Sequence, residues 1–179
     1  MSGLDRIIKE YKDINRNPIG NCGVTVGLFD ENDFTKWRVT LLGPKDSSYR
    51  NGLFFLSITF PYDYPEKPPE VCFLTPIYHV NVNPKAKRGG NGESLGHVCI
   101  STLNWWSPEY TMRELLTNIF ALFYLANPDS PYGLDRADEF RNNRAIYEEK
   151  IKEFTRRYAS PMRNQNVFPD KNMDWDFSL

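Results

Sequence analysis

The chain has 179 residues, 40% of them hydrophobic and 25% charged, which suits one globular domain large enough to bury a substantial core. Its 22 basic residues offset 23 acidic ones to a formal charge of -1, which excludes a global field that would hold nucleic acid or an anionic membrane. Three cysteines, Cys22, Cys72 and Cys99, are too few and odd in number for a secreted disulfide scaffold, and they fit reduced thiols.

In chain order, MSGLDRIIKEYK lacks the apolar core of a signal peptide, and the C-terminus carries neither a prenylation cysteine nor a retention signal, so a soluble protein of cytoplasm or nucleus is expected. Leu4, Ile7, Ile8, Tyr11 and Ile14 recur at helical spacing and Asn17-Pro18 stops them, predicting an opening amphipathic helix. Extended segments follow around Val24 to Leu28, Trp37 to Leu42, Leu53 to Phe60 and Val71 to Leu74, broken by Gly43-Pro44, Asn51-Gly52 and a proline-rich run. This spacing predicts a four-stranded antiparallel meander. In its third strand Phe54, Leu56, Ile58 and Phe60 share one face while Ser57 and Thr59 share the other, the pattern of a sheet covered on one side.

Tyr62 to Pro69 holds too many prolines for helix or central strand and reads as a rigid exposed loop. Asn83 to Gly96, rich in glycine and charge, reads as a mobile excursion. Thr111 with Glu114 forms a capping box ahead of Met112, Leu115, Leu116, Ile119, Phe120 and Phe123, a helix apolar enough to be mostly buried. The apolar stretch from Leu115 to Ala126 contains Thr117 and Asn118 and is too short to cross a bilayer. After Asn127 to Pro131 come a short helical segment and a longer one carrying Tyr147, Ile151, Phe154 and Tyr158. Residues 1–160 are expected to form the domain and 161–179 a tail, whose Met173 to Leu179 alternates acidic and aromatic residues. Strands first and helices after predict an α+β arrangement, with helices gathered on one face or end of an antiparallel sheet.

Several motifs now stand in a set order: the Tyr64 to Pro69 loop, Tyr78-His79-Val80-Asn81, Gly96 to Ile100 around Cys99, Trp106-Ser107-Pro108 and Asn127 to Pro131. Together with the helix and meander, they resemble the ubiquitin-conjugating enzyme family over about residues 3 to 160. The resemblance implies an N-terminal helix, a four-stranded meander, a central buried helix and two C-terminal helices. It also implies an activity: ubiquitin or a ubiquitin-like modifier is taken from an activating enzyme as a thioester on Cys99, then passed to a lysine or a ligase. ATP would be consumed by the activating enzyme, leaving this chain without a cofactor of its own. A zinc site on His97 and Cys99 lacks a second closely spaced pair, so no metal is expected.

Cysteine suits such exchange because its sulfur attacks as a thiolate and leaves as one, with an unperturbed pKa of about 8.5. By the same resemblance Asn81 is the neutral donor that steadies the oxyanion formed when a lysine attacks. It also reads as a tie holding its own loop, and the two roles are compatible. His79 and Tyr78 read as structural members of the motif, and His79 is not expected to act as the base. Ser130 falls where the family places a polar or acidic side chain beside the incoming lysine, though a plain turn serine between Asp129 and Pro131 is the better explanation of the residue type alone. Cys22 and Cys72 read as small buried residues in strand-like sequence.

The sequence departs from the family in three places. Val80 stands where the family has proline, which relaxes the backbone that aims Asn81. Asn81 and Cys99 are separated by an unusually long segment. At the surface where Arg6 and Lys9 would meet the activating enzyme, and where loops would meet a ligase, Glu66 and Ser107-Pro108-Glu109 put carboxylates in place of apolar contacts. A ligase with basic residues at that contact, or none of the common kind, is expected there. The alternative reading is a non-catalytic ubiquitin-binding module of the same fold.

Overall fold

The computed structural model describes residues 2–20, 23–84 and 96–161. Cys22, most of the 83–96 segment and nearly all of the 161–179 tail lie outside them. Helix α1 spans Gly3–Arg16 and begins at a capping box, in which the Ser2 hydroxyl accepts from the Asp5 amide and the Asp5 carboxylate accepts from the Ser2 amide. Its buried Ile7 and Ile14 face the sheet, and Tyr11 lies edge-on to Phe34 and Trp37. Each isoleucine so buried contributes about 1.5–3 kcal/mol.

Four antiparallel strands follow in meander order: β1 Val24–Leu28, β2 Lys36–Leu42, β3 Leu53–Thr59 and β4 Glu70–Phe73. The turn into β3 needs a left-handed residue, supplied by Asn51 at φ 65°. Phe54, Leu56 and Ile58 on β3 are fully enclosed, with Trp37, Val39 and Leu41 of β2 beside them. The opposite face of β3 is less open than the alternation predicts, because Ser57 is also buried. A small side chain between its cross-strand partners Arg38 and Cys72 is shielded by larger neighbours. Phe55 is buried too; its amide donates to Thr75 Oγ1 at 2.9 Å and its carbonyl accepts from the Leu74 amide at 2.8 Å, so the chain just after β4 stays paired alongside it.

Among the described residues four helices follow: α2 Ser101–Asn104, α3 Met112–Ala121, α4 Leu134–Asn142 and α5 Arg144–Tyr158. Thr111 and Glu114 close the predicted capping box on α3, whose Met112, Leu115, Leu116 and Ile119 are buried. Helix α5 turns Tyr147, Ile151, Phe154 and Tyr158 inward. The loop of residues 62–69 is not simply exposed. Tyr64 is buried against Phe60, and the Trp106 indole donates to the Pro65 carbonyl at 2.7 Å. Among the described residues no helix is long and apolar enough to cross a membrane.

Candidate active site

Cys99 lies at the end of a short pairing that brings two distant stretches together. Val82 bridges Val98, the Asn83 amide donates to the His97 carbonyl at 2.9 Å, and the Gly96 amide donates to the Asn83 carbonyl at 3.0 Å. The Cys99 amide then donates to the Asn81 carbonyl at 2.8 Å, so Asn81 and Cys99 are neighbours despite the long segment between them. Gly96 is required at this closure: its φ is 77°, and a Cβ there would stand 2.0 Å from the Phe73 carbonyl oxygen.

Cys99 is partly exposed, whereas Cys72 is buried in β4. The Cys99 sulfur lies 3.5 Å from the Ser130 hydroxyl and accepts from the Asn104 side-chain amide at 3.4 Å. These groups border a groove of about 330 Å³ that also includes Asn81, Thr102, Trp105 and Leu125. Trp105 is 81% exposed and Leu125 71%, so the groove carries apolar surface beside the thiol. Asn104 and Trp105 escaped the sequence reading because the four-residue α2 has no periodicity to detect, and Leu125 because its exposure after α3 is decided by tertiary packing.

Asn81 is 1% exposed, and its side chain is fully engaged. Its amide donates to the carbonyls of Asn127 at 2.8 Å and Ser130 at 3.0 Å, and its oxygen accepts from the Asn127 amide at 2.8 Å. In this arrangement Asn81 ties the 127–130 turn over Cys99. Both amide hydrogens are already donated.

His79 is enclosed by the same fold. Its Nδ1 accepts from the Asn81 amide at 2.9 Å, which leaves Nε2 to donate to the Leu122 carbonyl at 2.9 Å. Burial holds its pKa down to about 4, so the ring is neutral and its two nitrogens are used. It has no free site for taking a proton from a substrate. Tyr78 donates to Glu139 at 2.6 Å and carries the Arg136 guanidinium over its ring at 4.2 Å.

Val80 corrects the expected loosening. Its amide, which proline would lack, donates to the Tyr147 hydroxyl at 3.1 Å, and its carbonyl accepts from Tyr132 at 2.9 Å. The backbone before Asn81 is held by hydrogen bonds in place of a ring.

The surface residues separate into tied and free. The Arg6 guanidinium donates to Glu10 at 2.7 Å, to the Tyr110 carbonyl at 2.6 Å and to the Pro108 carbonyl, so it serves the fold internally. Lys9, Glu66 and Glu109 are exposed, and Pro108 is half-buried. Among the described residues no three His, Cys, Asp or Glu side chains group as they would around a metal.

A family profile described as ubiquitin-conjugating enzyme matches residues 6–155, most of the chain. The chain belongs to the ubiquitin-conjugating enzyme family. Its N-terminal helix, four-stranded antiparallel sheet and C-terminal helices are this family's α+β fold. As a member of it, the chain is a protein of the ubiquitin pathway, and its motif residues Tyr78, His79, Asn81 and Cys99 lie within the matched span.

Proposed function

We propose that the chain accepts ubiquitin or a ubiquitin-like modifier from an activating enzyme as a thioester on Cys99, and passes it to a lysine or to a ligase. The observation that carries this reading is a partly exposed thiol at the edge of a groove, with the Ser130 hydroxyl 3.5 Å from the sulfur, in a chain of this family. Cys99 attacks the activated carboxyl carbon as a thiolate and the departing thiolate leaves on the activating enzyme; attack by an amine later reverses the roles. The groove supplies apolar walls for the chain end next to the new thioester. Ser130 borders the path of the incoming amine. ATP belongs to the activating enzyme.

Incubating the protein with ATP, activating enzymes and separate modifiers, followed by a non-reducing gel, tests this. An adduct that thiol removes and Cys99→Ala abolishes is expected, while Cys99→Ser leaves a slower, thiol-resistant ester. One observation favours a second reading, a non-catalytic binding module: Asn81 has no amide hydrogen left for an oxyanion. Binding of a modifier with no adduct under any activating enzyme would establish it.

A further inference from the structure

We propose that Tyr147 is a positioning residue for this site, its hydroxyl supplying through the Val80 amide the backbone restraint that a proline at position 80 would otherwise provide. The proposal rests on the catalytic reading of Cys99 and adds a residue to it. Tyr147 lies on α5 and is 1% exposed. Its hydroxyl oxygen accepts the Val80 amide at 3.1 Å, and close by the Tyr49 hydroxyl donates to the Tyr78 carbonyl at 2.8 Å. The two bonds hold the amide on one side of Val80 and the carbonyl of Tyr78 two residues before it. Together they restrain the peptide groups that flank His79.

The restraint at Val80 bears on Asn81, the next residue. Asn81 donates its backbone amide to His79 Nδ1, offers its carbonyl to Cys99 and ties Asn127 and Ser130 with its side chain. A shift at Val80 therefore reaches both the loop that carries Cys99 and the turn that carries Ser130. A phenylalanine would fill nearly the same volume as Tyr147. Its fault would be narrower: the Val80 amide would remain buried without an acceptor, and such a group is expensive only because valine, unlike proline, has that hydrogen. Val80 is fully buried, and Asn51 alone among the described non-glycine residues has a positive φ, so position 80 has a backbone sign compatible with proline.

The consequence is a coupling that a merely space-filling tyrosine would not show. With valine at 80, Tyr147→Phe slows discharge of the Cys99-linked modifier to free lysine by about tenfold, the order set by one orphaned buried donor. In a Val80→Pro background the same substitution costs less than about threefold, because no donor is left to orphan. Two readouts need no modifier. In Tyr147→Phe the Val80 amide exchanges with solvent faster, and the Asn81 side-chain amide resonances shift; with proline at 80 those resonances stay put when Tyr147 is changed. Equal slowing in both backgrounds, or unmoved Asn81 resonances in Tyr147→Phe, would overturn the proposal. Should Val80→Pro fail to fold, the exchange rate and Asn81 resonances of Tyr147→Phe still decide it. A protein that charges with no modifier would sink the catalytic reading instead, while the resonance measurements continue to judge the Val80–Tyr147 link.

Discussion

His79 is held neutral by burial, and this makes one stretch of the stability curve readable in advance. The unfolded chain protonates this ring near 6.5 and the folded chain only near 4, so between those values the unfolded state holds the extra proton. The contribution is fully present above 6.5, falls as pH drops through the window and is flat below about 4. Between pH 7 and pH 5 the loss is about 2 kcal/mol. Urea titrations at both pH values measure it, and His79→Gln, less stable at pH 7, should show a shallower slope. Asn81→Ala strands the Asn127 amide and leaves two carbonyls without their donor, so a stability loss of about 2 kcal/mol is expected in the same titrations. Of these residues, His79 and Asn81 already stood in a motif that the sequence singled out. The bond that replaces proline at Val80 was not legible there, since its acceptor lies 67 positions later on α5.

At the level of elements, α1 is joined to both loops beside it. Glu10 accepts from Arg6 at 2.7 Å, from the Tyr64 hydroxyl at 3.2 Å and from the Met112 amide at 2.5 Å, where α3 begins. Arg6 reaches the 108–110 stretch and Trp106 reaches Pro65, so helix and loops form one braced face. Glu10→Gln turns one acceptor into a donor among donors and is expected to cost about 2 kcal/mol, read from the shift in the urea midpoint. Exposed Glu66 and Glu109 stand on this face. Carboxylates there oppose a ligase groove built for apolar contacts, so ligases with basic contact residues should stimulate discharge and those with apolar grooves should not. Discharge assays across a ligase panel check this; broad stimulation would refute it. Strand and helix positions were readable because periodicity and capping are local signals. The bracing by Arg6 was not, because the same arginine on an exposed helix face would look identical in sequence.

For the molecule as a whole, the paired stretches around Val82 and Val98 close the base of the long segment before Cys99. Replacing residues 85–95 with a short Asn-Gly turn should therefore leave charging of Cys99 at a similar rate, measured by the same non-reducing gel. Gly96→Ala should instead destabilise the protein, with a lowered melting temperature, since both its φ and the Phe73 carbonyl oppose a side chain. The sequence by itself determined the element order, the main apolar faces and the family, because each depends on local spacing or on motifs in a line. Only the tertiary structure decided that Arg6 is spent inside the fold, that Asn81 has both amide hydrogens engaged, that Trp105 and Leu125 flank the thiol, and that Tyr147 restrains Val80. Those outcomes depend on hydrogen-bond partners and shielding brought together from remote parts of the chain, and side-chain identity along one strand of sequence does not encode which remote atom will arrive.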